Sequence, residues 1–108
     1  VLYTGTHDND TVLGWAKRVP EKTLAFAGKT LGFSRAEEAS EAFIRGAMRS
    51  RADTVILPMQ DILGLDNGCR MNYPGTVGGN WRWRMASGAD TPEIAAKLRA
   101  LNRETGRG

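Results

Sequence analysis

Apolar residues recur along this chain at helical spacing in three places and as one unbroken run. Leu24, Ala27 and Leu31 fall at i, i+3 and i+7, one face of a helix that Pro20 opens and Gly32 closes. Ala36, Ala39, Phe43 and Ala47 form a second stripe, widened by Ile44 and Met48, which predicts a helix reaching Ser50. Ser34 and Glu37 stand at capping-box spacing before it. Ile94, Leu98 and Leu101 mark a last helix, with Thr91 as N-cap, Pro92 at the first helical position and Gly106 as the stop. A shorter helix is expected from the cap Thr11 to Lys17, where Val12, Leu13 and Trp15 supply apolar surface.

The unbroken run is Thr54-Val55-Ile56-Leu57, which predicts a strand buried on both faces and ended by Pro58. Val1-Leu2-Tyr3 reads as a second strand end, and Met59 to Leu65 as one helical turn. Helices alternating with doubly buried strands predict an α/β fold around a parallel sheet. Two short strands are too few for such a sheet, and the chain starts without Met inside one of them, so a piece of a longer protein is expected. Asp66 to Asp90 is a Gly-rich loop; its length, above the usual ~12–15 residues, marks it as functional or disordered. Its two Trp and two Met argue against disorder.

Composition narrows the classes. The 108 residues, 41% hydrophobic, suffice for one modest core. No stretch reaches ~18 apolar residues, so no membrane partner is expected. One cysteine makes no internal disulfide, and neither a signal peptide nor a lipidation motif is present, so a cytoplasmic location is expected. Eleven Arg against four Lys allow a nucleic-acid surface, yet acidic residues interleave with them, as in Arg35-Ala36-Glu37-Glu38, and the net charge is only +3. A mixed solvated face is the plainer reading.

Three segments could carry chemistry. Thr6-His7-Asp8-Asn9-Asp10 follows a strand end, where ligands bind in parallel α/β folds; helix capping alone would also explain its polarity. It is no calcium loop, because Val12, Leu13 and Val19 stand where ligands and a Gly are required. One His and one Cys make no zinc site, so no metal is expected, and Cys69 reads as an inert thiol. Pro58-Met59-Gln60-Asp61 holds the equivalent place after the other strand, with Asp61 either functional or a helix cap. If the two strands are parallel neighbours, both loops open on one face. The third segment runs from Arg70-Met71-Asn72-Tyr73-Pro74-Gly75-Thr76 to Gly79-Asn80-Trp81-Arg82-Trp83-Arg84. Extended, it would put Trp81 and Trp83 on one side and Arg82 and Arg84 on the other, a plate suited to sugars or stacked bases. Plugging the loop base as core is the alternative.

Together these motifs resemble the amylomaltases, the 4-alpha-glucanotransferases of glycoside hydrolase family 77. Thr4 to Thr11 is similar to the family's segment at the end of the seventh barrel strand, Pro58 to Leu65 to its eighth-strand segment, and Arg70 to Arg84 to its C-terminal signature. The resemblance implies the C-terminal quarter of a (β/α)8 TIM barrel: the end of strand seven, helices, strand eight, the long Gly-rich loop and the final helix. The whole of residues 1–108 would be a single segment of the catalytic domain. It implies retaining transfer of α-1,4-glucan segments between maltooligosaccharides or to glucose, without cofactor. Asp8 matches the carboxylate that stabilises the transition state. His7, Asn9, Asp61, Asn72 and Trp81 are the substrate-binding residues it suggests. The nucleophile and acid/base have no match, so the chain alone is expected to be inactive and to self-associate through exposed barrel edges. Cys69, where the family often has Ala, and Ala16, where a second aromatic is expected after Trp15, depart from the pattern. The competing class is a standalone glycan- or RNA-binding module with an Arg/Trp surface.

Overall fold

The computed structural model describes residues 1–107. Its sheet is a pair of short parallel strands, β1 (Leu2–Tyr3) and β2 (Val55–Ile56), with Leu2 opposite Val55 and Tyr3 opposite Ile56. The Leu2 N–H donates to the Thr54 carbonyl at 2.8 Å, which fixes the register. Parallel strands need a crossover, and three helices supply it. These are α1 (Val12–Arg18), α2 (Glu21–Leu31) and α3 (Ala39–Arg49). After β2 come a single turn, α4 (Met59–Ile62), and, beyond the long loop, α5 (Pro92–Glu104).

Local chemistry sets most boundaries where the pattern placed them. The Thr11 hydroxyl accepts from the Gly14 N–H and caps α1; Thr91 does the same for α5 through Ile94. Gly32 ends α2 in the left-handed region, φ 84°. The cap before α3 differs from the predicted one. A 3-10 turn, Ala36–Glu38, precedes the helix, and the Glu38 carboxylate, not Glu37, turns back to accept from the Ser34 and Arg35 N–H groups. The tighter turn moves the returning carboxylate by one residue. Glu37 lies 3.4 Å from Arg35 instead; its own amide and then that guanidinium hold its carboxyl below the ordinary carboxylate range.

The stripe on α3 is the centre of packing. Ala39 closes one cluster with Val12 and Ala16, over which Trp15, Phe33 and Phe43 pack. The Trp15 and Phe43 rings lie 5.4 Å apart in a tilted pair. Ile44 and Met48 close the other cluster with Leu101 of α5, backed by Val55, Leu57 and Ile62.

The strand β2 is not buried on both faces. Ile56 is 45% exposed and Tyr3 49%, because a two-stranded ribbon has helices on one side and nothing on the other. Among the described residues no helix is long and apolar enough to cross a membrane.

Candidate functional site

The parallel pairing brings the loops after β1 and β2 to one face, as their shared position predicted. Between them lies a cavity of about 530 Å³. Tyr3 and Ile56, the last strand residues, form its floor, and His7, Asn9, Asp61 and Arg70 are among its walls. This is the carboxyl end of a parallel sheet, where strand geometry leaves a crevice for ligands.

Asp61 holds the two loops together from beneath. It is 3% exposed, and its carboxylate accepts from the Thr4 hydroxyl and from the Val12 N–H, both at 2.8 Å. It therefore caps α1, a helix 49 residues earlier, rather than its own. The sequence suggested a sugar ligand here; in the structure each carboxylate oxygen accepts from one of the protein's own donors while the residue lines the cavity. Asn9 is turned inward in the same way: its side-chain oxygen accepts from the Thr6 N–H at 2.8 Å and the Thr6 hydroxyl at 3.0 Å, closing the loop on itself.

Asp10 runs along α1 to meet Arg18 at 3.0 Å, its side chain only 1% exposed. Gly14 makes that path possible. A methyl group on Gly14 would land on the Asp10 carboxylate. This close approach anchors the end of the His-Asp loop on the helix it leads into.

Asp8 lies between the lining residues His7 and Asn9, with its side chain half exposed. One oxygen accepts from the Asn72 amide at 2.7 Å, and the other stands 3.1 Å from His7 Nε2. Arg70 Nη2 donates to the Asp8 backbone carbonyl at 3.1 Å. Trp81 completes the group: its indole lies 4.9 Å from the His7 ring, tilted by 36°. Four of the six sequence-suggested residues, His7, Asp8, Asn72 and Trp81, thus meet across more than 60 residues of chain. Asn9 and Asp61 stand beside them with their oxygens engaged elsewhere.

The Gly-rich loop is ordered by its own hydrogen bonds. Tyr73 donates its N–H to the Asn80 side chain at 2.8 Å and its hydroxyl to the Asn67 carbonyl at 2.9 Å. Gly78 and Gly79 take φ of 82° and 75°, which turns the chain sharply before Trp81. Trp81 itself has φ 58°, uncommon for a bulky residue, and its N–H donates to the Met71 carbonyl. That left-handed residue breaks the strand alternation on which the predicted shared plate of Trp81 and Trp83 depends. Trp81 pairs with His7 instead, and at 52% exposure it is not core.

Arg70 is the residue the sequence reading left out of the site, although it opens the third motif. No spacing rule marks it; only the fold brings it to Asp8. Six of the eleven arginines find partners within the chain. Arg18 pairs with Asp10, Arg35 with Glu37, and Arg45 with Glu41 and Glu104. Arg70, Arg84 and Arg107 donate to backbone carbonyls. Cys69 is a partly buried free thiol whose carbonyl accepts from the Gln60 amide. Among the described residues no three His, Cys, Asp or Glu side chains group as metal ligands.

The sequence matches the family model for 4-alpha-glucanotransferase, glycoside hydrolase family 77, over residues 1–90. The chain belongs to this family. A chloroplastic/amyloplastic 4-alpha-glucanotransferase of Oryza sativa subsp. japonica is 50% identical over 105 residues, 94% of this chain and 18% of the rice protein. The 4-alpha-glucanotransferase of Thermus thermophilus is 43% identical over 112 residues, covering 99% of this chain and 22% of that protein. The fold is likewise similar to an amylomaltase from Streptococcus agalactiae solved in complex with acarbose, with a TM-score of 0.92 and 34% identity. That match covers all of this chain and 22% of the amylomaltase. The chain therefore spans about a fifth of the length of the relatives it matches.

Proposed function

We propose that this chain is the C-terminal quarter of a (β/α)8 barrel and supplies one carboxylate, Asp8, to a retaining 4-alpha-glucanotransferase. The reaction is the transfer of α-1,4-glucan segments between maltooligosaccharides or to glucose. The observation that carries the reading is that the loops after two parallel strands meet at one cavity, lined by His7 and Asn9 on either side of Asp8 and by Pro58, Gln60 and Asp61. Family membership and the acarbose complex of the similar amylomaltase support a saccharide ligand there.

In such a transfer one carboxylate attacks the sugar and a carboxylic acid alternates between acid and base. Both would come from the rest of the full-length protein. Positive charge grows on the sugar ring as the bond to the leaving group stretches. A fixed anion beside the ring interacts with that charge more strongly than with the neutral substrate, which is what lowers the barrier. Asp8 has the features of such an anion. The Asn72 amide donates to one of its oxygens, His7 Nε2 stands 3.1 Å from the other, and the side chain is half exposed toward the cleft. His7, with its Nε2 on Asp8 and its ring against Trp81, holds the carboxylate; its ring edge is left to meet sugar hydroxyls.

The test is made on the full-length protein with maltotriose. Glucose and longer maltooligosaccharides should appear together, and Asp8→Asn should lower kcat by several orders of magnitude without unfolding the protein. Absence of products, or an Asp8→Asn variant with near-parental kcat, would overturn the reading.

A further inference from the structure

The two contacts that the Gly-rich loop makes to Asp8 reach different parts of the same residue. Asn72 holds the carboxylate, while Arg70 holds the peptide oxygen. Asn9 closes the Thr6–Asn9 turn on itself, yet the whole turn is exposed, so a side-chain contact alone leaves it free to shift as a unit. A second contact on the main chain removes that freedom. Arg70 is built for it. Its guanidinium lies over the Tyr73 ring, 4.6 Å from the centroid, and the Tyr73 hydroxyl is tied to the Asn67 carbonyl. Its buried Nε has no hydrogen-bond partner among the described residues, and no carboxylate pairs with it there. The contact with Asp8 is therefore the hydrogen bond that the guanidinium makes.

We propose that Arg70, seated on Tyr73, is a positioning residue that fixes the backbone of Asp8 and acts on the reaction only through it. The inference rests on the role given to Asp8 above. Losing the anchor leaves the carboxylate present but displaced, and a misplacement near 1 Å costs about 100-fold in rate.

The experiment is a double-mutant cycle in the full-length protein with Arg70→Met, Asp8→Asn and the pair, read as kcat and KM for maltotriose. Met keeps the apolar stem and removes every donor. Arg70→Met should lower kcat about 10- to 100-fold with KM within about 2-fold of the parent. In the Asp8→Asn background the same substitution should change kcat by less than about 2-fold, since coupled residues are not additive. An equal loss in both backgrounds would overturn the proposal, whether from lost folding or from direct sugar contact. So would a raised KM with unchanged kcat. Near-parental activity of Asp8→Asn itself would instead overturn the functional reading, and is seen before Arg70 is altered.

Discussion

The carboxylate of Asp61 accepts the N–H of Val12 at 2.8 Å, and through this bond the end of one strand caps the helix that follows the other. Thr4 adds a second donor to the same carboxylate. Removing the acceptor strands a buried amide and a hydroxyl, each of which then bears its desolvation cost. Asp61→Ala should destabilise the protein by about 3 kcal/mol, read as a lower urea midpoint with unchanged slope. Asp61→Asn keeps one acceptor and should cost less. If Asp61→Ala left the midpoint alone and raised only KM, Asp61 would be a sugar ligand after all.

Gly14 looks replaceable, since Ala is the better helix former by about 1 kcal/mol. The structure reverses that expectation. A methyl group there meets the Asp10 carboxylate, which is buried and held by Arg18. Gly14→Ala should therefore destabilise by about 1–3 kcal/mol, the range for overpacking. Adding Asp10→Ala to Gly14→Ala should recover part of the loss, because it removes the clash. A Gly14→Ala variant more stable than the parent would show that Asp10 moves aside freely.

Lys17 and Asp66 join α1 to the start of the long loop at 2.6 Å. The hydrogen bond from Lys17 holds the Asp66 carboxyl below its ordinary 3.8, and Asp66 holds the Lys17 amine above its ordinary 10.5. A depressed carboxyl stabilises above its unfolded pKa and loses that contribution as pH falls through the folded value. A raised amine does the reverse at the alkaline end. The pair thus acts across the neutral range and fades in acid, below about pH 4. Both side chains are half exposed, so its effect is small and screened by salt. Asp66→Asn should differ from the parent by a constant amount from about pH 5 to 9, and the difference should close in acid. A difference that grows in acid would contradict this sign.

How legible the molecule was depends on distance along the chain. The α3 stripe and the Thr11 and Thr91 caps follow from local spacing, and the structure has them. The cap at Glu38 slipped by one residue because the entering turn is 3-10, a difference of a fraction of a turn that periodicity does not resolve. Trp81 left the predicted alternation because the two preceding glycines bend the chain, and a strand pattern assumes no bend. The partners of Asp61 and Arg70 were beyond reach for another reason. Each lies 49 or more residues away, and no periodic signal carries such a pairing. His7, Asp8, Asn72 and Trp81 were selected by motif resemblance; which of them touch each other came only from the fold.

The chain on its own carries more surface than a folded monomer of its mass. Its accessible area is 7158 Å², against roughly 5,900 Å² from the scaling of monomeric proteins. The excess includes large apolar side chains on the sheet and the loop: Tyr3, Ile56, Val77 and Trp81. The two strands add unpaired edges, which pair readily with other chains. An isolated chain of this sequence should therefore self-associate, with sedimentation showing mass that rises with concentration. It should also show no disproportionation of maltotriose, because the role proposed for Asp8 is to stabilise charge, and the attacking and protonating groups are proposed to come from the rest of the full-length protein. Co-expression with the remainder of the full-length protein should suppress the self-association by covering Tyr3 and Ile56. A compact monomer at all concentrations, unfolding cooperatively by itself, would show that the exposed face is stable without a partner.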